Sequence, residues 1–313
     1  GKRPDIIQYP SDIMALVSRG ATSFHSSQEL WKDPLQISSE MHISALAEIR
    51  ESWDLLIDID SPFLDYSKIA AELVCAELEK YGVKNYGIKY SGSKGFHIII
   101  PSKSFPEHFE DKETRLMFPD WPRAITEFII HEIKPLYNRA ITSLGFNIEA
   151  LERKTKLSRD ELIQTTCPQC GKNVEKHTLV KMRCDRCSTL YERPDFKVTK
   201  KRIKCTIETC PGFFEVVEEK EFWRCASCGI SNRKDDYISP NKTTFSFRQE
   251  KYAEKAEEEI AGDKLGSLDL VLVSSRHLFR MPYSLHEKTA LASVVIAKKD
   301  ISKFTPKDAD PIK

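Results

Sequence analysis

The chain has 313 residues, 40% hydrophobic and 30% charged, with a formal net charge of +1. That length allows one catalytic domain of good size plus a smaller module, and the near-zero charge removes any case for nucleic-acid binding from a global basic field. No apolar run approaches the roughly 20 residues needed to cross a bilayer, and no signal-peptide pattern opens the sequence, so neither membrane association nor secretion is expected.

Taken in chain order, the first fifty residues read as mixed helix and loop, with a short strand at 22–25. Residues 53–60 (WDLLIDID) form a strand that ends at the turn Ser61-Pro62. Helical spacing of Ile69, Leu73 and Leu78 predicts a helix over 66–81, with Cys75 as a small core residue. Two strands, 86–90 and 96–101, flank the tight loop Ser91-Gly92-Ser93-Lys94-Gly95. A long helix follows at about 120–145, with Trp121, Ile125, Phe128, Ile129 and Ile133 along one side. A charged helical segment (250–262) precedes a strand at 267–273, which runs on to residues 276–280 and the turn Met281-Pro282-Tyr283-Ser284.

Eight of the nine cysteines fall between 167 and 228. Clustered pairs in a chain without a secretion signal point to zinc thiolates rather than disulfides, and to a reducing compartment, cytoplasmic (nucleoid) or nuclear. Cys167-x2-Cys170 with Cys184-x2-Cys187 fits one four-thiolate zinc ribbon, and Cys205-x4-Cys210 with Cys225-x2-Cys228 fits a second. Two structural Zn²⁺ ions are therefore expected. The cysteine module, 161–235, lies inserted between two parts of a catalytic domain, 1–160 and 236–313. Residues 171–204 carry eleven Lys or Arg against four acids, including Lys200, Lys201, Arg202 and Lys204, with Tyr191 and Phe196 nearby. That stretch reads either as a nucleic-acid surface or as a solvated basic face.

Three further signals carry chemistry. Alternation along a strand turns Asp58 and Asp60 to one side while Ile57 and Ile59 enter the core. Two adjacent carboxylates repel each other unless a cation lies between them, and hard oxygen ligands suit Mg²⁺ or Mn²⁺. In the loop 91–95, glycines let the backbone approach a ligand, and Ser91, Lys94 and the following His97 can engage phosphate oxygens. Downstream, Asp269 lies in the apolar run LDLVLV, where an acid is costly unless paired or metal-bound, and Arg280, His286 and Lys288 follow. Taken singly, each also reads as an ordinary strand end, hairpin turn or charged edge.

In this order the three signals resemble the small catalytic subunit of archaeal and eukaryotic DNA primases. Asp58-Ile59-Asp60 is similar to the family's first motif, Ser91-Gly92-Ser93-Lys94-Gly95-Phe96-His97 to its S-G-x-x-G-x-H motif, and Leu268-Asp269 with residues 277–289 to its third region. The likeness is clear over roughly 50–105 and 265–292. It implies an α+β catalytic fold whose RRM-like antiparallel or mixed sheet bears the site. It also implies that Asp58, Asp60 and Asp269 hold two Mg²⁺ or Mn²⁺ ions, and that Ser91, Lys94, His97, Arg280 and His286 hold a nucleoside triphosphate. The implied activity is primer synthesis on single-stranded DNA template, by in-line displacement of pyrophosphate between two metals. A large primase subunit is the implied partner. Departures are Ser93-Lys94 where many relatives carry Arg, and two zinc ribbons where the family has one zinc site. The polymerase domain of bacterial end-joining ligases shares the first two motifs but lacks the His286-x-Lys288-Thr289 ending. A non-catalytic zinc-ribbon protein that binds nucleic acid is the third reading.

Overall fold

The computed structural model describes residues 7–38, 40–145, 147–195, 202–232, 253, 255–265, 275 and 277–312. The chain opens with α1 (Pro10–Ser18), β1 (His25–Ser27), β2 (Glu29–Trp31), α2 (Ile43–Ile49), β3 (Arg50–Trp53), β4 (Leu55–Ile59) and α3 (Leu64–Lys80). Next come β5 (Gly87–Tyr90), β6 (Phe96–Ile100), β7 (His108–Phe109), β8 (Lys112–Glu113), α4 (Asp120–Ser143), α5 (Ile148–Thr155) and α6 (Arg159–Leu162). The cysteine-bearing strands are β9 (Ile163–Thr166), β10 (Glu175–Cys184), β11 (Leu190–Pro194), β12 (Ile203–Lys204) and β13 (Phe213–Arg224). After them come β14 (Glu257–Ile260), β15 (Leu278–Arg280) and β16 (Val295–Ile296). Two compact units result, Gly1–Leu162 with Ile260–Lys313, and Ile163–Glu259. The architecture is mixed α+β with antiparallel sheets.

The first unit centres on an antiparallel sheet of order β16-β5-β6-β4. Its register separates two faces. Ile57 pairs with Ile98 and Ile98 with Ile88, while Ile59 pairs with Phe96 and Phe96 with Tyr90. All six are buried. Helices α3 and α4 pack together and contact these strands, α3 contributing buried Ala70, Ala71, Val74 and Cys75. Each buried Ile adds on the order of 1.5–3 kcal/mol. On the opposite face the same strands carry Asp58, His97 and Lys89 in one row.

Several elements differ from their sequence reading. The strand expected over 53–60 breaks at Asp54, whose Oδ1 accepts the backbone N–H of Ser102 at 2.8 Å. Trp53 therefore belongs to β3, which pairs with β2, and its Nε1 donates to the Thr114 carbonyl. The strand expected at 22–25 begins at His25. In α4 the buried positions are Pro122, Thr126, Ile129, Ile133, Tyr137, Asn138 and Ile141, so Ile129 and Ile133 are core but Phe128 is exposed. Phe128 instead meets Tyr81 edge to face, at 5.5 Å between centroids. Of the segment 250–262, residues 257–260 are strand and not helix, because β14 pairs with β9. The strand expected at 267–273 lies outside the described residues.

The second unit is a four-stranded sheet of order β11-β10-β13-β12. Its spine is the long antiparallel hairpin of β10 and β13, which sets Glu175 opposite Arg224 and Cys184 opposite Phe214. The unit reaches Glu259 rather than 235, because β14 returns to β9. The basic character of β10 is offset by its neighbours, since Lys181 pairs with Glu192 of β11 and Glu218 of β13.

Candidate functional site

Asp58 is the only acid of β4, and Asp60 follows the strand's last residue. Between them Ile59 is fully buried, so both carboxylates lie at the same strand end. Asp60 has its pKa raised, first by burial and then by the charge of Asp58, against the opposing pull of Lys94 and His97. That is the electrostatic condition a divalent cation relieves.

His97 is buried and lies cross-strand from Asp58, with Nε2 at 3.2 Å from Oδ1. Burial keeps its pKa below the ordinary value despite Asp58. A neutral ring in this position carries its proton on Nε2 and donates it to Asp58. Nδ1 is then a buried acceptor that meets no hydrogen-bond partner among the described residues. The sequence reading assigned His97 to the nucleotide. Among the described residues its polar contact is with Asp58, and it is 6% exposed.

The loop between β5 and β6 is closed by Ser91 N–H to the Gly95 carbonyl (2.9 Å) and Gly95 N–H to Ser91 Oγ (3.2 Å). Tyr90 also donates its hydroxyl proton to the Ser93 carbonyl. Two glycines are needed on steric grounds. Gly92 has φ +97° and a Cβ there would lie 2.9 Å from His286 Cβ, while one on Gly95 would lie 2.2 Å from the Ile59 carbonyl oxygen. The loop is thus pressed between the carboxylate strand and the segment carrying His286.

That downstream segment is joined to the loop by hydrogen bonds. Arg280 Nη1 donates to the Ser91 carbonyl at 2.9 Å, and Thr289 Oγ1 donates to the Gly92 carbonyl at 2.5 Å. Arg280 Nη2 also contacts Glu287 Oε2 at 2.5 Å. His286 Nδ1 accepts backbone N–H groups of Lys288 (3.2 Å) and Thr289 (3.4 Å), and burial and Arg280 hold its pKa down. Its proton therefore sits on Nε2, 3.9 Å from Glu287 Oε1. Lys94 is exposed, and its charge reaches Asp60.

Asp58, Asp60, Ser91, Lys94, His97, Arg280 and His286 thus belong to one unit, in which His97 meets Asp58, the charge of Lys94 reaches Asp60, and that of Asp60 reaches His286. Asp269 lies outside the described residues. Three neighbouring residues carried no assigned role in the sequence reading: Glu287, which contacts Arg280, and Lys89 with its partner Ser293. Lys89 was legible in principle, because a five-residue loop between 90 and 96 places it opposite His97.

The eight clustered cysteines form two four-thiolate groups, Cys167, Cys170, Cys225 and Cys228, and Cys184, Cys187, Cys205 and Cys210. In each group the sulfurs lie within 4.8 Å of one another. Contacts of 3.5 Å (Cys167–Cys228, Cys170–Cys225, Cys187–Cys205) and 3.6 Å (Cys184–Cys210) approach the ~3.8 Å expected for sulfurs at 2.3 Å from a tetrahedral Zn²⁺. This corrects the sequential pairing expected from spacing. The antiparallel hairpin carries the 184/187 knuckle to the 205/210 turn at one end, and the 167/170 knuckle to the 225/228 knuckle at the other. The three C-x2-C knuckles share one turn: Gly171, Ser188 and Gly229, all at positive φ, donate to the carbonyls of Cys167, Cys184 and Cys225. Among the described residues, no helix is long and apolar enough to cross a membrane.

No family model matches the chain. An uncharacterized protein of Methanocaldococcus jannaschii is 45% identical over 62 residues, which is 19% of this chain. The match spans 14% of that protein's length. No solved structure matches.

Proposed function

We propose that the chain is a template-directed nucleotidyltransferase of the primase type, making short primers on single-stranded DNA from nucleoside triphosphates. The observation that carries this reading is the convergence of Asp58 and Asp60 with Lys94, Arg280 and His286 around the loop 91–95. An acidic pole suited to divalent cations there adjoins a cationic pole suited to phosphates. Apart from the short β7–β8 hairpin, the run β4-α3-β5-β6-α4, with β6 between β4 and β5 in the sheet, supports the strand–helix–strand–strand–helix part of the RRM-like core that the resemblance implies, while β16 lies at the edge beside β5.

In this reading Asp58 and Asp60, with Asp269, would hold two Mg²⁺ or Mn²⁺ ions, whose chemistry would be to activate a 3′-hydroxyl and to neutralise charge on a departing pyrophosphate. His97 orients Asp58 through its Nε2–H. Arg280 and the Nε2–H of His286 face the phosphates, and Lys94 reaches them from the exposed loop. Ser91 shapes the turn with its hydroxyl and uses its carbonyl to hold Arg280. No covalent nucleophile is required of the protein. Zinc in the four-thiolate groups is structural, because such sites leave no coordination position open. A large primase subunit remains the proposed partner.

The deciding experiment incubates the protein with single-stranded template, Mn²⁺ or Mg²⁺ and labelled nucleotides, with and without primer. Primer-independent product is expected. Product only with primer would instead support a repair polymerase of the end-joining type, and template binding without product a zinc-ribbon binding protein. Asp58→Ala and Asp269→Ala proteins are expected to lose product at least a hundredfold; wild-type output from either would overturn the metal assignment.

A further inference from the structure

Lys89 has no role in the chemistry above, yet it is the most unusual charge in the first unit. Lys89 is 2% exposed, in the middle of a sheet, and among the described residues Nζ donates to one group, Ser293 Oγ, at 3.1 Å. Ser293 is itself fully buried and donates to the Tyr90 carbonyl at 2.7 Å. No carboxylate pairs with Lys89 among the described residues. The Phe279 ring covers it, 5.6 Å from Nζ, and stands edge to face with His97 at 6.2 Å.

An ammonium buried with so little compensation is costly, and a residue retained at such cost is commonly retained for function. Burial draws its pKa down to about 7, against the favourable pull of Asp58. The register gives it a direction. Asp58, His97 and Lys89 stand side by side on β4, β6 and β5, so Lys89 lies about 10 Å from the carboxylate strand, at two inter-strand spacings. Two buried polar atoms of the same neighbourhood, His97 Nδ1 and Arg280 Nε, also meet no partner among the described residues. The charge of Arg280 reaches both Lys89 and His97.

We infer that Lys89 is a charge-positioning residue of the site, opposing a divalent cation that arrives alone and favouring one that arrives with a polyphosphate, so that metal and triphosphate load as a pair. The inference rests on the two-carboxylate reading above and deepens it. In its protonated form, Lys89 at this range raises the free energy of a lone cation and lowers that of a metal–triphosphate complex, whose net charge is negative. A hydrophobic residue of similar shape reverses both effects without leaving a buried charge unpaired.

Binding of Mn²⁺ alone, and of inorganic triphosphate with Mn²⁺, is measured on wild type, Lys89→Met and Asp58→Ala, with a melting curve of each. Lys89→Met is expected to bind Mn²⁺ alone about tenfold more tightly and triphosphate with Mn²⁺ about tenfold more weakly, while melting no lower than wild type. Opposite signs are the signature that a merely structural residue does not give. Changes of the same sign, or no change in a folded Lys89→Met, overturn the inference. Ser293→Ala keeps the charge and is expected to retain the wild-type order; a Lys89→Met-like reversal there also overturns it. If Asp58→Ala binds Mn²⁺ as wild type does, the two-carboxylate reading fails and takes the inference with it.

Discussion

The sulfurs of Cys184 and Cys210 lie 3.6 Å apart, while Cys167, in the knuckle nearest to Cys184 on its N-terminal side, belongs to the other thiolate group. Ten residues of β10 separate the two groups, roughly 30 Å of extended chain. Pairs of Cys→Ser variants distinguish nested from sequential sites. Metal analysis is expected to give about two Zn per wild-type chain. A Cys184/Cys205 double variant should retain one zinc and a Cys167/Cys184 double variant none. Sequential sites would give the reverse, none for the first and one for the second.

Asp60 supplies a pH signature. Its carboxyl pKa is raised in the folded chain, so at neutral pH the folded state carries a carboxylate it holds less well than the unfolded chain does. Below the unfolded value near 3.8 both states are protonated and the penalty vanishes. Without divalent metal, Asp60→Asn should therefore melt higher than wild type at pH 7, with the gap closing as pH falls toward about 4. A gap that widens on acidification would reject the burial of Asp60.

Lys89 is expected to show the mirror image. Its pKa falls from 10.5 to about 7 on folding, so the unfolded chain binds more protons between these values and the penalty eases as pH rises through that window. The stability advantage of Lys89→Met over wild type should be largest below pH 7 and shrink toward pH 10. Chemical denaturation across this range is the measurement.

Glu287 occupies Arg280 with one oxygen and stands 3.9 Å from His286 with the other, across the two side chains proposed to face phosphates. It is 64% exposed, so it can swing aside when an anion arrives. Glu287→Gln removes the competing charge and should tighten triphosphate binding by about 1.4- to fivefold, the range of an exposed ion pair at roughly 0.2–1 kcal/mol. The gain should shrink from triphosphate to monophosphate in direct titrations. Equal or weaker triphosphate binding would show that Glu287 does not compete.

Much of this site could be read from residue order, because it depends on short-range geometry. Strand alternation put Asp58 and Asp60 together, and the two glycines marked a loop that something approaches closely. The environment of His97 could not be read that way. Whether a polar residue next to a phosphate-type loop faces ligand or neighbour depends on the partner strand, and here β4 supplies Asp58. The zinc grouping failed for a related reason. Spacing along the chain favours near pairs, but a ten-residue antiparallel strand carries near pairs to opposite ends. Residues 257–260 misled through composition, since their run of acids suits a solvated helix as well as a strand edge.

The hairpin of β10 and β13 also bears on how such a chain can change. The thiolate group of Cys184 and Cys210 is enclosed, along the sequence, within that of Cys167 and Cys228, and both are enclosed within the chain that carries Asp58 and Arg280. The inner group leaves and re-enters its host through the adjacent antiparallel strands β10 and β13, so its length can vary at that neck without shifting the register of what surrounds it.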